Sequence, residues 1–181
     1  MKKRMVLFVI AVMMCFVGCT SINNNAKTNN ASMSENSNKY DSLLDETLNE
    51  TFGGWWPDDF VNKFGKPEKT VNAEDYDRWY FKQGVEIDVV DQNDIPTLFN
   101  YIYIAPDSSI KLNRDIGIGS TRDDVLKAYE KEVNQKESNN HMLIAGDRYG
   151  GIIFIIEQNV VTSIYIATGA FTGVSEVRQI P

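Results

Sequence analysis

The sequence predicts an α+β fold. It reads as two tandem units, each a short helix followed by antiparallel strands, with the strands forming one curved sheet and the helices on one face. Three matches carry this prediction. Asp58-Asp59 recurs as Asp123-Asp124, Asp77-Arg78 as Asp147-Arg148, and the tetrapeptide IYIA at 102–105 recurs at 164–167. The matches keep their order and structural role, as expected of one supersecondary unit used twice. Repeat one spans 52–110 and repeat two 111–170.

The residues ahead of the repeats belong to export. Lys2, Lys3 and Arg4 precede the uncharged apolar run 5–17. That run is shorter than the roughly 20 residues a membrane span needs and fits the apolar core of a secretory signal. It ends in Gly18-Cys19, which resembles the lipobox of bacterial lipoprotein signals, with Phe16 where that family usually carries Leu. The resemblance implies cleavage after residue 18, lipidation of Cys19 and anchoring at the extracytoplasmic side of the cell membrane. Two or more acyl chains make such anchoring stable. Cys15 leaves with the signal, so the mature chain has no cysteine for a disulfide and folds without one.

Removing residues 1–18 takes away three basic groups and no acid. The 18 basic residues become 15 against 25 acidic, a formal charge of −10. Phosphate backbones and anionic headgroups repel such a surface. The expected contact with membrane is therefore the lipid, and nucleic acid is not an expected partner.

Residues 19–39 hold the lipidated Cys and an Asn/Ser-rich tether without apolar periodicity. A flexible coil of this length has a reach of roughly 25 Å. Residues 40–51 place Leu43, Leu44 and Leu48 at helical spacing among acids, predicting a leading amphipathic helix. In repeat one, Pro57 suits a first helical turn and Asp58-Asp59 the positive end of the helix dipole. Phe60, Val61 and Phe64 make the apolar stripe; Gly65 and Pro67 end the helix. Strands are expected over 77–82, 85–90 and 98–105, with a polar loop at 91–96.

Repeat two opens with Ser120 as the expected helix cap, Asp123 closing a capping box. Val125, Leu126 and Tyr129 repeat the stripe, and with Glu130 where Gly65 stood the helix is expected to continue toward Val133. Strands follow over 142–149, 151–157 and 160–168, the last two joined by a tight turn at Gln158-Asn159. Residues 171–181 form a tail outside the repeat.

Strand alternation assigns faces. Val85, Ile87 and Val89 point one way, Glu86 and Asp88 the other. Ile102, Ile104, Ile164 and Ile166 are expected under the helices, which turns Tyr101, Tyr103 and Tyr165 to the opposite face as an aromatic platform flanked by acids. Tyrosine suits protein interfaces, and is also simply a good strand residue on a half-exposed face. Trp55 and Trp56 have two readings, a hydrophobic staple at the first helix or a binding hot spot.

Catalytic signals are lacking. His141 is the single histidine, in a polar loop, and no G-x-S-x-G, H-E-x-x-H or P-loop pattern occurs. Asp88, Asp91, Asn93 and Asp94 do not match calcium-loop spacing. No catalytic residue, metal site or cofactor is expected.

The motifs G-x-G-S-T-x-D-D-V-x-x-x-Y at 117–129 and W-P-D-D-F-V-x-K-F-G-K-P at 56–67 resemble the recurring unit of the β-lactamase-inhibitor-protein-like superfamily, which includes the SmpA/OmlA small envelope lipoproteins. The resemblance covers roughly 52–168. It implies tandem α/β units whose joined sheet grips a protein partner, such as a β-lactamase-like or cell-wall enzyme. This chain lacks the disulfides of the secreted inhibitors, and no inhibitory residue transfers by position. The expected function is a lipid-anchored envelope module that binds another protein through its sheet. The alternative is a small-molecule or envelope-stress sensor using the concavity as a pocket.

Overall fold

The computed structural model describes residues 42–73, 75–92, 95–147 and 150–168. The signal segment, Cys19, the tether and the tail lie outside the described residues, as does Arg148. Among the described residues, no helix is long and apolar enough to cross a membrane.

Helix α1 covers residues 42–52 and buries Leu43, Leu44 and Leu48, the stripe its spacing predicts, and adds Phe52 to them. Its last turn, Leu48–Phe52, is π-helical and stops at Gly53, which takes a left-handed φ of 92°. Helix α2, Pro57–Phe64, begins on proline as expected, and the Asp59 carboxylate accepts the Trp56 N–H at 2.9 Å. Phe60 is its buried anchor and stacks on Phe52 at 4.9 Å between ring centroids, with Phe64 and Phe81 closing the cluster. Gly65 ends the helix as expected, at φ 83° but with an extended ψ of −173°, a conformation different from the left-handed cap that glycine often supplies there.

Among the described residues, seven strands form one antiparallel sheet: β1 Lys69–Asn72, β2 Asp77–Phe81, β3 Val85–Gln92, β4 Ile95–Ile104, β5 Met142–Gly146, β6 Gly151–Glu157 and β7 Val160–Ala167. Their spatial order is β1-β2-β3-β4-β7-β6-β5. Strand β1 is an unexpected addition; its four exposed residues carry no burial alternation to announce it. The polar loop expected at 91–96 is mostly strand, because β3 extends to Gln92 and β4 starts at Ile95. Strand β5 ends at Gly146, φ 95°, short of the predicted 149. The β6–β7 turn is as predicted: Gln158 and Asn159 both take positive φ, 48° and 68°, the geometry of a two-residue hairpin.

Helix α3, Arg122–Ala128, corrects two expectations. Thr121, not Ser120, is the N-cap: its Oγ1 accepts the Asp124 N–H at 3.1 Å, and Asp124 accepts the Thr121 N–H at 3.0 Å. Ser120 is occupied one step earlier, its Oγ accepting the Gly117 N–H at 3.1 Å and its carbonyl the Val161 N–H at 2.9 Å. The glycine-punctuated lead-in is thereby pinned to the start of β7. The helix also stops at Ala128 and does not continue toward Val133, because Arg114 reaches the Ala128 carbonyl at 2.9 Å and lies over the Tyr129 ring. A cationic side chain on the last free carbonyls is a favourable helix end.

One core cluster holds Leu48, Phe52 and Phe60 together with Val125, Tyr129, Ile87, Ile102, Ile104, Phe154, Ile164 and Ile166. Helices α1 to α3 therefore pack on a single sheet face. The other face is free of them.

Candidate functional site on the helix-free face

The strand registers place one row of side chains across all seven strands. From one edge to the other it runs Lys69, Tyr80, Glu86, Tyr103, Tyr165, Ile153 and Ile144, each directly opposite the next. Its neighbours in each strand, such as Phe81, Val85, Ile87, Ile104, Ile152, Phe154, Ile164 and Ile166, belong to the helix-side core. Period-two alternation puts the row on the helix-free face.

At its centre the three predicted tyrosines meet. The rings of Tyr103 and Tyr165 lie 4.8 Å apart, and Tyr101 meets Tyr165 edge-on at 5.8 Å. All three are half-buried, with Tyr103 and Tyr165 in direct cross-strand register. Such packed rings hold each other in place, so a partner would meet a surface with little side-chain entropy left to lose. Tyr80 joins the same face on β2, with the Lys69 Nζ 5.2 Å from its ring centre. Its position follows from the alternation that places Phe81 and Trp79 toward the core.

The expected acidic flank is only partly present. Glu86 stands beside Tyr103 and Tyr80, half-exposed. Asp88 is instead buried in a fork-shaped pair with Arg78, Nε to Oδ1 at 2.6 Å and Nη2 to Oδ2 at 3.0 Å. Arg78 also donates to the Tyr76 hydroxyl at 3.0 Å and lies over that ring. The Asp88 hydrogen bond pushes the Arg78 guanidinium further up from its ordinary value. The sequence pairs Asp77 with Arg78 as neighbours; the fold pairs Arg78 across strands, since adjacent strand residues face opposite ways. Asp88 is thus spent on arginine.

The tryptophans belong to the helix layer. Trp55 packs against the helix-side core and donates its Nε1–H to Asp45 at 2.8 Å, while Trp56, 54% exposed, sits at the N-cap of α2. The structure therefore brings Tyr101, Tyr103 and Tyr165 together and leaves Trp55 and Trp56 away from them. His141 is exposed in the turn before β5, where its N–H meets Asn139 Oδ1 at 2.8 Å. Among the described residues, no cluster of three His, Cys, Asp or Glu side chains could hold a metal ion. A depression lined by Leu126, Lys127, Glu130, Val133 and Gln135 lies against α3 and the turn after it, apart from the tyrosines.

In comparison with known proteins, no family model, no curated protein and no solved structure matches this chain.

Proposed function

We propose that this chain is a lipid-anchored cell-envelope protein, held at the membrane through Cys19, whose helix-free sheet face binds another protein. The observation that carries the reading is the packed tyrosine cluster at the centre of the seven-strand row. It offers rigid aromatic area with polar tips on a face that the helices leave uncovered, the composition favoured at interface centres. A β-lactamase-like or cell-wall enzyme is the partner class that the motif resemblance suggests.

We further propose that 52–110 and 111–170 are copies of one unit. The register supports this. The two IYIA segments lie side by side, with Tyr103 opposite Tyr165, Ile102 opposite Ile166 and Ile104 opposite Ile164. In the repeat Tyr103 is equivalent to Tyr165, and Ile102 to Ile164, so this pairing has the form of a local two-fold axis between the two tyrosines.

The test uses residues 20–181 as bait for crosslinking in the envelope, followed by identification and direct binding of the partner. Tyr103→Ala and Tyr165→Ala are expected to weaken binding about 30-fold each, the scale of interface hot spots, with unchanged circular dichroism. Undiminished binding by both folded variants removes the tyrosine platform. The anchor is tested separately: Cys19→Ser is expected to abolish labelled-palmitate incorporation and release the chain from membranes.

A further inference from the structure

The two edges of the sheet differ. Along β5 the chain's own segment 132–139 runs outside the strand and takes up its outward backbone groups. The Asn134 N–H meets the Ile144 carbonyl at 2.8 Å, the Gly146 N–H meets the Glu132 carbonyl at 2.9 Å, and the Ile144 N–H meets Ser138 Oγ at 3.0 Å. Val133 bridges Ala145 and Asn139 bridges Met142. That edge is closed. At the other edge β1 pairs with β2, and the flanking Glu68 and Ala73 N–H groups also turn inward, to the Tyr80 and Tyr76 carbonyls at 2.8 Å each. All four β1 residues are exposed, and among the described residues no segment bonds to the outer side of the strand. An edge strand leaves alternate N–H and C=O groups pointing outward, ready to pair with another chain.

The devices that usually blunt such an edge are weak here. The register runs from Lys69 to Asn72 without a bulge, and no proline interrupts it. Lys69, the one charge within the strand, lies over the Tyr80 ring, and Asn72 donates its side-chain N–H to Asp77 at 2.8 Å. Val71 is left 36% exposed.

We propose that a second copy of the chain pairs with this edge, β1 against β1, antiparallel, across a two-fold axis at Thr70 or Val71. The charge order of the segment carries the choice of partner. Lys66 and Lys69 stand at its start and Asp75 and Asp77 just past its end, with Glu68 the exception. A two-fold axis normal to the sheet reverses the second strand, so each basic end meets the acidic end of the other copy. A parallel pairing would set like charges side by side. The same axis keeps the helices of both copies on one side of a continuous sheet and both tyrosine rows on the other. A four-residue seam is short, so the association is reversible and concentration-dependent. It is independent of the partner-binding reading, which concerns the face of the sheet and not its edge.

The experiment is disulfide trapping in the full-length chain, with Thr70→Cys and Val71→Cys as separate probes. Lys136→Cys, exposed beside β5, controls for random collision. Residues facing each other across an antiparallel pair bring their Cβ atoms within about 5 Å, close to disulfide reach. A trapped dimer is expected from at least one β1 cysteine and not from Lys136→Cys or the unaltered chain. Adding Lys66→Glu is expected to cut trapping about 5-fold, and adding Asp75→Lys as well to restore it, because the double exchange reverses both ends together. These positions are exposed, so the fold should persist, which resistance to limited proteolysis checks. Absence of a dimer from both β1 cysteines overturns the proposal, as does equal trapping at Lys136→Cys. Failure of the double exchange to restore trapping, or capture of a different protein in place of a second copy, also overturns it.

Discussion

Arg114 ties helix α1 to the end of helix α3. Its guanidinium meets Glu46 at 3.0 Å, Glu132 at 3.1 Å and the Ala128 carbonyl at 2.9 Å, and stands 4.8 Å over the Tyr129 ring centre. Burial pushes the Tyr129 hydroxyl up from its ordinary value, and the ring serves as an apolar plate under the cation. Arg114→Met is expected to lower stability by about 2 kcal/mol, since it strands partly buried carboxylates; urea unfolding measures it. The same knot gives an acid dependence. The hydrogen bond from Arg114 holds the Glu46 carboxyl below its model-compound value of 4.5. A depressed carboxylate contributes stability above the unfolded value, and that contribution is lost as pH falls through the folded one. The urea midpoint should therefore drop below pH 4.5, and drop less in Arg114→Met. None of this was legible in the sequence: Arg114 and Glu46 are 68 residues apart, with no motif linking them. The tyrosines were legible, because strand alternation needs only local sequence.

At the scale of elements, what the sequence disclosed depended on whether apolar periodicity was present. Helix α2 announced itself through Pro57, the acidic first turn and the Phe60 stripe, and Phe60→Ala should cost about 3–5 kcal/mol through loss of the four-ring cluster. Denaturant titration, with an unchanged slope, would register it. Helix α3 was displaced by one residue because Ser120 and Thr121 are chemically equivalent caps. Only the pairing of 119–122 with the start of β7 assigns the role to Thr121. Accordingly Thr121→Ala is expected to cost about 1 kcal/mol, and Ser120→Ala less than Thr121→Ala. Equal losses in the two variants would contradict the assignment. The premature end of α3 escaped prediction because its cause, Arg114, lies outside the helix.

For the molecule as a whole, the α+β class, the antiparallel sheet and the common helix face follow from patterns that a reader of the sequence can count. The joining of the strands does not. Two meanders of this kind can pair through several edges, and the β4–β7 choice depends on matching two identical apolar–tyrosine segments. That match also creates the half-buried aromatic centre. The proposed partner binding belongs to this scale, since it would use residues from both strands of the seam. A chain carrying only Tyr165→Ala should lose both ring contacts at once, so its affinity is expected to fall at least as far as in Tyr103→Ala, measured by calorimetry once the partner is in hand.

Every other pairing in the sheet joins strands that are consecutive in sequence; the β4–β7 seam alone closes a long loop. Closure entropy is concentrated there, growing as about (3/2)RT ln n with loop length. Assembly therefore has an order: each meander forms from local hairpins, and the seam joins them afterwards. A conservative change in the seam, Ile166→Val, should leave the folding rate almost unaltered and accelerate unfolding, which a denaturant chevron resolves. The tyrosine surface would then be the last part of the protein to exist on folding and the first to open.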